Sequence, residues 1–485
     1  MKPSSSTSEP PGTFGPAAPP GAAGEPAGAA SGLFDGIFTT EAVAAAVSDQ
    51  AWLQAMLDVE AALAAAQARA GLVPDEAASA IAERCRAGDF DVRAIGRAAA
   101  GAGNPVVPLV EELTAAVPAG AAGYVHQGAT SQDVLDTAAM LVTHRALGPI
   151  LDDLAVVARC CAGLAERHRG TVIVGRTLLQ HALPTTFGLK AAGWLSGVDE
   201  SRERLATVRE QRLAVQFGGA AGTLASLGDS GIAVAADLAG ELGLAEPVLP
   251  WHTVRVRLGE LAGALGTVAG ALGKIARDVT LLAQTDVGEA AEPPAPGRGT
   301  SSTMPHKRNP VGSIVASACT QRVPGLVATL FGAMSHEHER AAGSWHAEWE
   351  PLTELLRIVG GAAGWLGDVT GSAGGLEVDA ERMRANLDTT GGLLMAERVT
   401  TALASALGRM EAHELVRQAC QRAVGEGRPL REVLLADGTV GEHLSTSEVD
   451  AALDPVGYLG SAGGFVDRAL AAHRALEHQT GHIRE

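Results

Sequence analysis

Three stretches of this chain repeat apolar residues at helical spacing for far longer than a small domain needs, and this constrains the fold most. Leu147, Ile150, Leu151, Leu154, Val157 and Leu164 fall on one face, with Asp152, Asp153, Arg159 and Glu166 between them, which predicts a long amphipathic helix. Comparable patterns run around Phe187 to Phe217 and Val254 to Thr285. A Pro/Gly-rich break at Pro293 to Gly299 follows, and another helix is predicted from near Pro310, bent at Pro324-Gly325. Helices this long bury their apolar faces against one another, so the expected fold is all-α with a central bundle. Aromatic residues make up only 3% of the chain, which agrees with close-packed helices.

At 485 residues the chain exceeds what one core usually organises. The expected divisions are a Pro-, Gly-, Ala- and Ser-rich disordered tail over 1–32, an N-terminal helical domain over 33–123, the long-helix domain over 124–373, and a C-terminal helical domain over 374–485 punctuated by Gly408, Gly425 and Gly438. Thr40 or Ser48 is positioned to cap the first helices. The tail lacks the continuous apolar core of a signal peptide. The apolar stretch from Leu258 to Ala283 is broken by Glu260, Lys274, Arg277 and Asp278, which suits a buried bundle helix rather than a membrane span. The formal net charge of -18 argues against a general nucleic-acid or anionic-membrane surface, so any bound anion needs local cations. The five cysteines are scattered and lack metal-ligand spacing, as expected of reduced thiols in a cytoplasmic protein.

Four polar motifs carry possible chemistry. GRGTSSTMPHKRNP, from Gly297 to Pro310, crowds Ser301, Ser302, Lys307, Arg308 and Asn309 into a glycine-hinged loop before a helix, a pattern suited to anion binding and to acid–base work. Chemistry alone leaves a polar surface loop as an equal alternative. HQGATSQDVLDT, from His126 to Thr137, offers His126, Thr130, Ser131 and Gln132 as donors to carboxylate oxygens, or simply Ser131 as a helix cap. GRTLLQHALPTTFG, from Gly175 to Gly188, places Arg176, Gln180 and His181 before an apolar helix. Arg176 there suits either a carboxylate or a structural salt bridge, and His181 suits either proton transfer or the core. HEHERAAGSWHAEWEPL, from His336 to Leu352, crowds histidines, glutamates and Arg340 at a helix end. It lacks the i,i+4 histidine pair of a zincin, so ion pairing is expected and no metal.

GTSSTMPHKRNP resembles the signature loop of the fumarase/aspartase superfamily, which includes argininosuccinate and adenylosuccinate lyases. LFDGIFTTEAV, GNPVVPLVEELTA, YVHQGATSQDVLDTA, VQFGGAAGTLASLG and PWHTVRVRL extend the likeness from Leu33 to about Leu476, most closely to the branch of lactone-forming carboxymuconate cycloisomerases. The resemblance implies three helical domains, a homotetramer joined through its long helices, sites shared between subunits, a small polycarboxylate substrate and no cofactor. It implies that Ser301 is the proton-transferring serine and that Ser302 and Met304 lie beside it. Lys307 with Asn309 would hold the carboxylate that gathers charge, and Thr130, Ser131, Arg176, Gln180 and Arg340 would contact substrate, with His126 and His181 as further candidates.

The implied reaction is lactone formation in protocatechuate degradation, through an aci-carboxylate intermediate. A β-eliminating lyase such as a nitrosuccinate lyase is the closest rival. Adenylosuccinate lyase is disfavoured by Leu178, which stands where several lyases have histidine, and a non-catalytic superfamily member is disfavoured by Ser301, Lys307 and Asn309. Thr300 and Gly391 also depart from the usual pattern.

Overall fold

The computed structural model describes residues 32–294, 297–299, 303–304, 306–371 and 375–483. Thr40 caps a short helix, Glu41–Ala46, and Ser48 caps helix α1 (Asp49–Arg69), each side chain accepting a backbone N–H three residues on. Both candidate caps therefore act, each on its own helix.

Five long helices dominate: α2 (Ser131–Arg167), α3 (Phe187–Gln211), α4 (Val256–Leu282), α5 (Val311–Ala333) and α6 (Trp349–Gly371). They pack side by side, α2 against α3 and α6, and α4 against α3, α5 and α6. At 1.5 Å per residue, α2 is about 55 Å long, α4 about 40 Å and α5 about 35 Å. The bundle consequently has two ends, far apart.

The fold is predominantly α-helical, with two antiparallel ribbons among the described residues. Strands β1 (Val172–Thr177) and β2 (Gln180–Thr186) form a hairpin between α2 and α3, and β3 (Ala290–Ala291) pairs with β4 (Glu377–Val378). The sequence motif Gly175 to Gly188, expected only to precede a helix, is thus mostly hairpin. Gly188 lets α3 cross the end of α2, because a Cβ there would lie 2.6 Å from both Arg169 Cα and His168 O.

One hydrophobic cluster runs from Val43 through the bundle to Met383, joining the N-terminal region to the long helices. A separate cluster fills a C-terminal unit built around α7 (Ala396–Leu407) and α8 (Arg409–Glu426). The last helix, α9 (Ala462–Ile483), returns to α3, and its Val466 and Leu470 belong to the main cluster. Helix α5 is long and apolar enough to cross a membrane by length and composition alone, with only 22% of its apolar window buried. Ile314 and Phe331 on it are about half exposed.

Candidate active site

At one end of the bundle, Thr130 precedes α2 as its N-cap and Ser131 is the first helical residue, so the cap lies one position earlier than the sequence pattern offered. Asp133 is 1% exposed and collects four donors: Thr130 N at 3.0 Å, Gly218 N at 3.0 Å, Gly219 N at 2.9 Å and His252 Nε2 at 2.6 Å. Beside it, Arg255 bridges Asp136 (2.6 and 3.0 Å) and Glu348 (3.0 and 2.5 Å), while Trp345 Nε1 donates to Asp136 at 2.9 Å. Burial alone would raise the Asp136 pKa, but Arg255 outweighs it and holds the carboxyl below its ordinary value. His336 joins the network through Glu348, at 3.2 Å.

This buried network fixes the loops that carry the half-buried candidates Thr130, Ser131 and Arg340. Gly219 O accepts from Arg340 Nη2, so the glycine pair held by Asp133 also seats the arginine. Arg340 lies in a loop after α5, with Thr130 and Ser131 at the positive end of the α2 dipole. The result gathers two hydroxyls and one guanidinium beside a helix N-terminus, an arrangement suited to an anion. His126 stands at its edge in a left-handed conformation (φ 59°), with Nδ1 2.6 Å from Glu60 Oε1. Of this network, Glu60 is a charge inside an otherwise apolar helical face, whereas His252, Arg255 and Glu348 lie outside the long helices, in the stretches PWHTVRVRL and HEHERAAGSWHAEWEPL, where residue type alone does not show their pairing.

The other candidates occupy the opposite end. Both nitrogens of the Arg176 fork bond Glu289, each at 2.8 Å, and Asn386 Nδ2 donates to Glu289 at 2.8 Å. Glu289 is fully buried, so the bidentate salt bridge from Arg176 anchors the hairpin. Gln180 is exposed beside the hairpin tip, where Leu178 and Leu179 both have positive φ. His181 Nδ1 is buried without a hydrogen-bond partner, and burial together with Arg176 pushes the imidazole down despite Glu289.

The glycine-rich loop belongs to this end as well. Ser301 and Ser302 lie outside the described residues. Gly299 adopts φ 73° and its carbonyl accepts from Asn309 N at 3.0 Å and Nδ2 at 3.3 Å, closing the loop base; a Cβ there would meet Asn309 O at 2.7 Å. Glu292 accepts from Gly312 N and Ser313 N and so caps α5. Lys307 and Asn309 line a cavity of about 880 Å³ with Gln284, Glu292 and Arg298, and Lys307 and Met304 are exposed. No group of residues suited to a metal occurs among the described residues.

Helix α5 links the two ends, separating Lys307 from Arg340 by about 35 Å, and α2 separates Ser131 from the hairpin by about 55 Å. One chain therefore holds its two groups of candidate residues at opposite ends of the bundle. A long-helix bundle with polar candidate residues gathered at both ends agrees with a lyase-type enzyme, and the comparisons with known proteins show that class. The family described as "Lyase" matches residues 36–325, and "Adenylosuccinate lyase C-terminus" matches residues 392–469. The chain is an enzyme belonging to the fumarase/aspartase superfamily.

Among its relatives, 3-carboxy-cis,cis-muconate cycloisomerase from Pseudomonas aeruginosa is 53% identical, over 92% of this chain and 97% of that one. Nitrosuccinate lyase from Streptomyces davaonensis is 48% identical over 93% and 97%. The solved structure of the 3-carboxy-cis,cis-muconate lactonizing enzyme from Pseudomonas putida superposes with a TM-score of 0.86 at 49% identity, covering 92% of this chain and 99% of that one.

Proposed function

We propose that this enzyme converts 3-carboxy-cis,cis-muconate to its lactone, at a site completed only between copies of the chain in a homotetramer. The near-full-length likeness to carboxymuconate cycloisomerases carries the substrate assignment. The distance between half-sites, and the apolar face that α5 exposes in one chain, support the shared site.

In this reading the substrate's own carboxylate attacks the carbon β to a second carboxylate. Charge builds on that second group as an aci-carboxylate, which Lys307 and Asn309 stabilise. Thr130, Ser131 and Arg340 of another copy hold a further carboxylate, with Ser302, Met304 and Gln180 around the reacting atoms. Proton transfer through Ser301 to the α-carbon completes the lactone. Every group required is a side chain or backbone donor of the protein itself.

A β-eliminating nitrosuccinate lyase is the second reading, supported by the Streptomyces relative. Leu178 offers no proton at the hairpin tip, and nitrite needs none to leave. The purified enzyme is to be assayed in parallel on 3-carboxymuconate and nitrosuccinate, scoring lactone, nitrite and fumarate. Lactone without nitrite is expected; nitrite and fumarate without lactone would refute the cycloisomerase assignment.

A further inference from the structure

A carboxylate buried from water needs a partner that carries a proton. Glu60, on α1, is 1% exposed, and among the described residues its only side-chain partner is His126: Oε1 lies 2.6 Å from Nδ1, while Oε2 has no hydrogen-bond partner. The pair must therefore hold a proton between them. The His126 backbone is left-handed, a conformation that costs a non-glycine residue energy and persists only where its surroundings impose it. Gln67 helps impose it by donating to the neighbouring Gln127 carbonyl at 2.6 Å.

This geometry turns Nδ1 inward to Glu60 and leaves Nε2 without a partner among the described residues, on a side chain that is 19% exposed. The other charged group facing the ring is Asp133, which also acts on Arg340, so His126 shares the field around Arg340. Behind Glu60, the Cys85 thiol is pushed up to about 12 by burial and by Glu60 and Asp58, and it stays neutral. Burial alone would push the imidazole down; the hydrogen bond and charge of Glu60, with Asp133, outweigh it and hold His126 above its ordinary value.

Lactone formation has a proton balance that the signature loop alone does not meet. One carboxylate becomes a neutral ester and one C–H bond forms, so each turnover takes one proton from solvent. We propose that the Glu60–His126 pair is where the active site exchanges that proton with solvent, His126 being the carrier and Glu60 its positioning residue. This inference rests on the proposed reaction. The His126 Nε2–H bond breaks and its electron pair stays on nitrogen. The proton is relayed to the α-carbon, where the aci-carboxylate electron pair forms the C–H bond. Neutral His126 keeps Nδ1–H on Glu60 and regains a proton from water at Nε2. In an elimination the same path runs outward.

The test compares kcat against pH for the wild type, Glu60→Gln and His126→Gln, each shown by light scattering to be the intact oligomer. Glu60→Gln keeps a hydrogen-bond acceptor but removes the charge. Its basic limb should move down by about one pH unit, with near-wild-type turnover at low pH and roughly tenfold less above the limb. His126→Gln should lose that limb and about 10²-fold in kcat, with KM changed by less than about threefold. An active wild type whose profile Glu60→Gln reproduces, or a His126→Gln variant that keeps kcat within about threefold, overturns the proposal. If the wild type eliminates nitrite instead of forming lactone, the cycloisomerase reading fails. The pair is then judged on the acidic limb, where Glu60→Gln must again displace the profile to lower pH.

Discussion

Subunit mixing tests the two-ended layout most directly. Arg340→Ala disables the half-site at one end of the bundle and Lys307→Ala the half-site at the other, about 35 Å away along α5. Each variant alone should lose roughly 10²-fold or more in turnover, because each removes a cation from a carboxylate site. After one-to-one mixing and subunit exchange, each site draws its Arg340 and its Lys307 from different chains. Half of the chains carry each intact group, so about one quarter of the sites regain both, and activity should rise to about a quarter of wild type. A single-chain site predicts no recovery, since every chain retains one defect. Mixing the double variant with wild type sharpens the comparison: independent contribution leaves about a quarter of sites active, whereas a single-chain site leaves about half. Lactone formation followed by absorbance, with exchange verified by mass spectrometry of the assemblies, gives both readings. Recovery absent in a demonstrably mixed tetramer would refute the shared site.

Ser301→Ala should lower kcat about 10²-fold with little change in KM, and Lys307→Ala should impair both; a Ser301→Ala enzyme of normal kcat would make the serine structural. Arg255→Leu leaves Asp136 and Glu348 buried without their shared cation and should cost about 3–5 kcal/mol, read as a lower denaturant midpoint. An unchanged midpoint would show that the network has no such role. Asp153 is raised to about 6 by burial and by the nearby Asp152 and Asp368, so the native state binds a proton more tightly than the unfolded chain and loses stability as pH rises from about 4 to 6. Asp153→Asn should therefore stabilise the protein at pH 7 by roughly 1 kcal/mol after allowance for solvent screening, and not at pH 4; equal effects at both values would contradict the assignment.

The long helices were legible because their apolar faces repeat at 3.6 residues and nothing else competes for those positions. The hairpin was not. Its tip is Leu178-Leu179, where two-residue turns usually need Gly or Asn, and the second strand contains Pro184, a residue that argues against a strand. Helix α3 stops at Gln211 and does not continue to Phe217; Val215 to Phe217 is a buried non-helical segment held by other partners. There Gln216 exchanges bonds with Thr137 Oγ1 at 2.9 and 3.0 Å and accepts from Trp251 N at 2.8 Å.

The proposed anion-binding role of Thr130, Ser131 and Arg340 follows from residue type, but their separation from Lys307 does not, since it depends on which helix ends meet. The network of Asp133, Asp136, Arg255 and Glu348 was equally hidden, its members lying far apart along the chain. Arg176 shows the limit of reading residue type alone: its bidentate bond to the buried Glu289 depends on a residue more than a hundred positions away.

The return of α9 to the bundle has a mechanical meaning. His473 Nδ1 lies 2.9 Å from Asp199 Oδ2, Arg202 bonds Glu477 at 2.5 Å, and Arg169 holds Asp467 through two bonds of 2.8 and 2.6 Å. The C-terminal unit around α7 and α8 is thus not a pendant on one tether but a loop of chain stapled to the scaffold at both ends. At its entry, Leu387, Leu394 and Met395 also cluster with Val174 of the hairpin, so the unit is held against the scaffold at its start as well as through α9. With its own core and paired entry and exit points, it is also a natural cassette: a relative's unit can be exchanged between the same two crossings while α9 stays docked.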